Sequence, residues 1–291
     1  MRSSELDFDA CLLRRAVTAA KKIVVVAAVV SIAFVGAAPA QDTVGGGDEA
    51  LAKKLANPIA SLISVPIQFN YDSGFGSADG NRLLVNIQPV IPFELTDDLS
   101  LVTRTIIPVI WQDDISGRSG NQFGLGDTAQ SFWLVPTPSD TAFGTLTWGV
   151  GPVITWPTST DPLLGLGTLG LGATGIFLFQ NGPWTVGALA SHQWGVVETR
   201  SNAPNLNGTF FQPFVSYTTP SAWSFAVNYE GLYNWTSEEL SLPLNIMVSK
   251  LVKISGQRVQ FQVGGRYWVD SPATGPEDFG VRAAVVFLFP E

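Results

Sequence analysis

From Ser61 onward, apolar and polar side chains alternate with a period of two, the period of a strand with one oily face. In residues 223–235 the odd positions read Trp223, Phe225, Val227, Tyr229, Gly231, Tyr233 and Trp235, and the even ones Ser224, Ala226, Asn228, Glu230, Leu232 and Asn234. Residues 63–71 set Ile63, Val65, Ile67, Phe69 and Tyr71 against Ser64, Pro66, Gln68 and Asn70. Near the C-terminus, Val259, Phe261 and Val263 oppose Gln260, Gln262 and Gly264, and Val281, Val285 and Phe287 oppose Arg282, Ala284 and Val286. Such stretches, separated by Gly, Pro, Asn, Asp and Ser clusters, predict strands over residues 61–71, 82–94, 99–111, 127–135, 145–156 and 169–180. Six more are predicted over residues 184–196, 208–217, 223–235, 242–254, 257–269 and 279–289. The fourth and sixth alternate poorly, so the pattern rests on the others.

Three properties of this array predict a membrane barrel rather than a soluble sandwich. The strands are long enough to cross a bilayer when tilted, and their number, twelve, is even. Connections after even strands are mostly short, as at residues 96–98, 181–183 and 255–256, whereas those after odd strands are long, including residues 72–81, 112–125, 157–168 and 236–241. One connection, residues 136–144, is longer than its class predicts. Short turns on one rim and long loops on the other are the signature of an outer-membrane barrel with both termini on the periplasmic side. The polar face, made of Gln, Asn, Ser, Thr and Gly with isolated Arg, suits an enclosed lumen better than open water. The expected fold is an all-β, antiparallel transmembrane β-barrel of about twelve strands, of outer-membrane type.

Composition agrees. Charged residues make up 14% of the 291, against about a quarter in an average soluble domain. The net charge of −8 argues against a nucleic-acid partner held in a basic groove. Residues 1–40 read as a signal peptide: Arg14, Arg15, Lys21 and Lys22 precede the apolar run of residues 23–38, which closes at Ala38-Pro39-Ala40. That run is short for a transmembrane anchor. Its removal takes Cys11 and leaves 11 basic and 21 acidic residues, a net of −10, so disulfides and thiolate metal sites are not expected in the mature chain. Residues 41–60 are read as a periplasmic N-terminal segment, helix-like over residues 48–56, and residues 61–291 as the barrel.

Catalytic and cofactor signals are weak. His192, the single histidine, is followed by Gln193 and Trp194 and shares its face with Val186, Ala188 and Trp194, without a nucleophile at useful spacing. Gly165-Leu166-Gly167-Thr168-Leu169-Gly170 fits the dinucleotide-binding string but lacks the strand before it and the helix after it. The acidic pairs Asp97-Asp98, Asp113-Asp114 and Glu238-Glu239 read as solvated turn and loop charge. No catalytic, cofactor-binding or metal-binding residue is assigned, and no enzyme activity is expected. The sharper candidates are Arg82, Arg104, Glu230, Arg266 and Arg282, which alternation places on the lumen side. A charge on the lipid face at mid-depth would cost about 2 to 4 kcal/mol. Inside, these groups either line a solute path or form a buried ion-pair network, and the sequence leaves both open.

Several strings carry a resemblance: LANPIASLISVPIQFN (residues 55–70), NIQPVIPFEL (86–95), RTIIPVI (104–110), GLGDTAQS (124–131), GVGPV (149–153), NGPW (181–184), QPFVSYTT (212–219) and GGRYW (264–268). As a set they resemble the proteobacterial outer-membrane family named for the MetA pathway of phenol degradation, whose members are often labelled transporters. The resemblance implies an outer-membrane barrel handling aromatic or other hydrophobic compounds. The expected function is thus passive diffusion of small solutes through an outer-membrane channel, with outer-membrane lipid and those solutes as partners. The alternative is a non-transporting structural or surface-interaction barrel.

Overall fold

The structure, a computed structural model, describes residues 47–201, 203–277 and 279–289. The signal peptide predicted over residues 1–40 lies outside the described residues. One helix, α1 (Gly47–Leu55), precedes β1 (Ile63–Phe75), β2 (Gly80–Ile87), β3 (Val90–Thr96), β4 (Leu99–Asp113), β5 (Asn121–Leu125), β6 (Thr128–Pro136), β7 (Ser139–Thr141) and β8 (Gly144–Trp156). There follow β9 (Thr168–Asn181), β10 (Trp184–Glu198), β11 (Asn207–Thr218), β12 (Trp223–Tyr229), β13 (Gly231–Asn234), β14 (Glu239–Ile254), β15 (Gln257–Asp270) and β16 (Phe279–Phe289). All pairing is antiparallel, and the ring closes where β1 meets β16 and β10 meets β11. Because β2–β3, β5–β7 and β12–β13 are each one interrupted strand, sixteen segments make twelve staves.

Two interruptions have the same cause. Against β1 the register runs unchanged from Ile67↔Ile87 to Ser64↔Val90, which sets Gln88 opposite Pro66. Against β14 it runs unchanged from Tyr229↔Leu244 to Leu232↔Ser241, which sets Glu230 opposite Pro243. The Gln88 amide donates to the Pro66 carbonyl at 2.8 Å, and the Glu230 amide to the Pro243 carbonyl at 3.1 Å. Neither proline has an N–H to give back, so one rung is missing at each place.

Side chains sort as the alternation predicts. On β10, Trp184, Val186, Trp194 and Val196 are exposed on the outer face while Thr185 and Leu189 are buried. Ten residues separate Trp184 from Trp194, which at about 3.3 Å per residue and about 40° of tilt is roughly 25 Å, the height of an outer-membrane apolar band. Trp223 and Phe289 lie near the first level, and Trp111, Trp156, Trp235 and Phe279 near the second, as two aromatic girdles.

Three connections differ from the sequence expectation. The long loop expected over residues 112–125 shrinks to residues 114–120, because β5 pairs with the end of β4. That expected over residues 236–241 becomes a tight turn, since pairing runs up to Asn234↔Glu239. The anomalous connection at residues 136–144 is a bulged strand extension, with β7 paired to β8 across a turn at Ala142 and Phe143. In each case strands keep pairing past the last residue of the oily band, where alternation gives no signal.

Candidate functional site in the barrel lumen

The lumen is built from the inward halves of the staves, and its centre is a belt of charge. Arg282 on β16 grips the Glu230 carboxylate with two hydrogen bonds, Nη1 to Oε1 and Nη2 to Oε2, both 2.7 Å. Arg266 on β15 reaches the same carboxylate at 3.5 Å and Asp72 on β1 at 3.2 Å. Arg266 Nη1 and Arg282 Nε both donate to Asn70 Oδ1, at 3.0 and 2.7 Å. Asp72 also accepts from Trp268 Nε1 at 2.9 Å. Arg266 and Arg282 are buried; Arg282 is met by Asn70 and both Glu230 oxygens, whereas Arg266 hydrogen-bonds Asn70 and leaves its Nε unbonded beside Asp72.

The other two arginines stand apart from this pairing. Arg82 on β2 donates to Gln112 Oε1 at 2.9 Å and lies 4.8 Å from the centre of the Phe75 ring. Arg104 on β4 donates from Nη2 to Gln88 Oε1 and makes no ion pair among the described residues. The structure therefore gathers Glu230, Arg266 and Arg282 in one network and leaves Arg82 and Arg104 on amide partners. Sequence reasoning missed Asn70, Asp72, Gln88 and Gln112. Asp72 was read as loop because β1 runs on to Phe75.

Both ends of the lumen are covered. At the short-turn end, α1 carries Asp48 and Glu49 in its first turn and Lys53 and Lys54 in its last, matching its dipole. It buries Ala52 against Leu62, Ala222, Leu251, Val286 and Leu288. Asp48 is held by Arg258 at 3.0 Å, and the Lys53 carbonyl accepts from Gln180 at 3.0 Å. The chain then drops Ile59 into a cluster with Val90, Val102, Trp133, Leu178 and Leu189. At the long-loop end, residues 157–167 fold onto Asp127, whose Oδ2 accepts from the amides of Leu166 (2.6 Å) and Gly167 (3.2 Å) and whose Oδ1 accepts from Ser159 (3.0 Å). Leu164 is buried there, and the Leu163 carbonyl accepts from Gln112 at 2.9 Å. The glycine-rich string at residues 165–170 thus already spends its amides on a carboxylate, which leaves a phosphate no cradle.

Between floor and belt lies a cavity of about 260 Å³. Gln68, Gln88, Arg104, Gln212, Glu230 and Arg282 line its polar side. Val90, Leu189, Phe214, Met247 and Val286 line the apolar side. His192 is elsewhere, on the outer face. Its Nδ1 shares a 2.7 Å hydrogen bond with Thr209 Oγ1, which also accepts from Trp235 at 2.8 Å, and its ring packs edge-on to Trp194 at 4.2 Å.

A closed twelve-stave ring, an oily outer band between aromatic girdles and a polar, charged lumen define a β-barrel of the Gram-negative outer membrane. The chain is similar to several solved structures. The COG4313 outer-membrane channel from Pseudomonas putida F1 aligns over 79% of this chain and 96% of its own, with a TM-score of 0.61 at 15% identity. The Salmonella typhi outer-membrane phospholipase dimer aligns over 82% and 98%, with a TM-score of 0.42 at 16% identity. The transport unit of the Escherichia coli autotransporter AIDA-I aligns over 84% and 97%, with a TM-score of 0.44 at 9% identity. No family model matches the chain, and no curated protein does.

Proposed function

We propose that the protein is an outer-membrane channel that passes small aromatic or otherwise hydrophobic solutes by diffusion. The observation that carries this reading is the cavity between the charge belt and the N-terminal floor: the lumen is not packed solid at its middle. Eight-stranded barrels are filled by their side chains and sixteen-stranded ones hold water channels, so a twelve-stave barrel with a residual chamber suits a narrow, selective path. The architecture shared with the Pseudomonas putida channel and the sequence resemblance to the phenol-degradation family both support it. On this reading the floor of residues 47–62 and the loop of residues 157–167 are the segments that limit flow. Purified protein in planar bilayers should give discrete conductance steps, and a folded but silent barrel would overturn the proposal.

The alternative, a barrel that does not transport, draws on the same two closures. Replacing Arg104 and Arg266 with Ala separates the readings. Altered ion selectivity in a folded protein supports the channel, whereas lost thermal stability in a barrel that never conducts supports the packed scaffold.

A further inference from the structure

We infer that the lumen cavity is a binding site for a small apolar monocarboxylate, held through its carboxylate by Arg104. The inference deepens the channel reading by naming a solute class, and rests on that reading only for why such a solute enters.

Four arginines and two acids leave the lumen two anions short. Its acids are Asp72 and Glu230; Arg266 touches both, and Arg282 donates two hydrogen bonds to Glu230. Those two acids and two arginines balance. Arg82 and Arg104 are left over, each bonded to a neutral glutamine, and of the two Arg104 borders the cavity. An unpaired cation in a low-dielectric lumen is costly, and a carboxylate is the partner whose two oxygens match the guanidinium fork. The cavity lining also carries Val90, which pairs with Arg104 across neighbouring strands, and Leu189, Phe214, Met247 and Val286, which offer nothing to an inorganic ion and a good surface to a ring or a short chain. At about 260 Å³ the space falls just below the roughly 300–1,000 Å³ range of drug-sized pockets, so a single ring suits it. A cation set among apolar side chains selects a molecule with one negative end and one oily end.

The test is calorimetric titration of the folded, detergent-solubilised chain with benzoate, benzamide and inorganic phosphate. Benzoate should bind one to one. Benzamide, of the same shape without the charge, should bind about 10- to 100-fold more weakly, the value of a charge-assisted hydrogen bond. Arg104→Gln should weaken benzoate by a similar factor and leave benzamide unchanged, while Arg118→Gln, on an exposed loop, should keep full benzoate affinity. Equal affinity for benzoate and benzamide overturns the proposal, as does phosphate binding as tightly as benzoate, or an Arg104→Gln barrel that still holds benzoate. Should that variant not fold, the benzoate–benzamide comparison on the unaltered chain decides alone. Binding is read without a membrane, so a barrel silent in bilayers that still takes benzoate through Arg104 loses transport and keeps the site. A conducting barrel indifferent to benzoate does the reverse.

Discussion

Glu230 compensates two guanidiniums at once, which makes it the most consequential side chain of the lumen. Glu230→Gln keeps the shape but leaves Arg282 without an ion pair and Arg266 with Asp72 alone. Breaking a buried pair from one side typically costs about 3–5 kcal/mol, so the urea unfolding midpoint of the refolded barrel should fall sharply. An unchanged midpoint would mean that water screens the belt. At this scale the alternation of residues 223–235 and of the last two strands was enough to turn Glu230, Arg266 and Arg282 inward. It could not say which acid meets which base, because those contacts join β1, β13's leading edge, β15 and β16, neighbouring staves of the ring. Pattern along one strand holds no information about the register of the staves beside it. Asn70 and Gln88, uncharged and not singled out among the candidates, turn out to be the acceptors that seat the arginines.

On the channel reading, two short segments limit flow through the ring. Deleting residues 47–58 removes α1 and releases the Asp48–Arg258 pair, so single-channel conductance should rise at least about twofold if the path is limited at the floor. No change in step size would place the constriction at the charge belt instead. At the other end, Asp127→Ala removes the acceptor for three backbone amides, and residues 157–167 should then be cleaved by an added protease faster than in the unaltered chain. Equal cleavage rates would show the loop to be held by its other contacts, such as buried Leu164 and the Gln112 bond to the Leu163 carbonyl. The helix over residues 48–56 was legible from its period, but its seat was not, since Ala52 and Ile59 look like ordinary apolar residues until the barrel supplies their partners. The loop's fold over Asp127 was equally hidden, because the signal there is a lone carboxylate that serves the backbone.

For the molecule as a whole, the strongest sequence signal was the one tied to solvent. Outward side chains must suit lipid at every strand, so the number of staves, their antiparallel order and the oily exterior could all be read from periodicity and turns. The nine tryptophans give a check. Trp133 and Trp268 point inward and hydrogen-bond to Thr174 and Asp72, whereas the exposed Trp111, Trp148, Trp156, Trp184, Trp194, Trp223 and Trp235 face outward. In vesicles of brominated lipid most of the fluorescence should be quenched and a minor component should persist. Complete quenching would contradict the inward placement of Trp133 and Trp268. What periodicity concealed was the trimming of the rims, since beyond the bilayer both faces meet water and β7 (Ser139–Thr141) carries no oily stripe.

The two prolines that leave a rung empty, Pro66 and Pro243, stand opposite Gln88 and Glu230, the residues that receive Arg104 and Arg282. The sheet therefore lacks a ladder bond beside two of the groups that seat the arginines. Deuterium should enter the backbone early around residues 87–90 and 229–231, and any breathing of those seams carries the anchors with it, so that the pliancy of the wall and the shape of the lumen are one property.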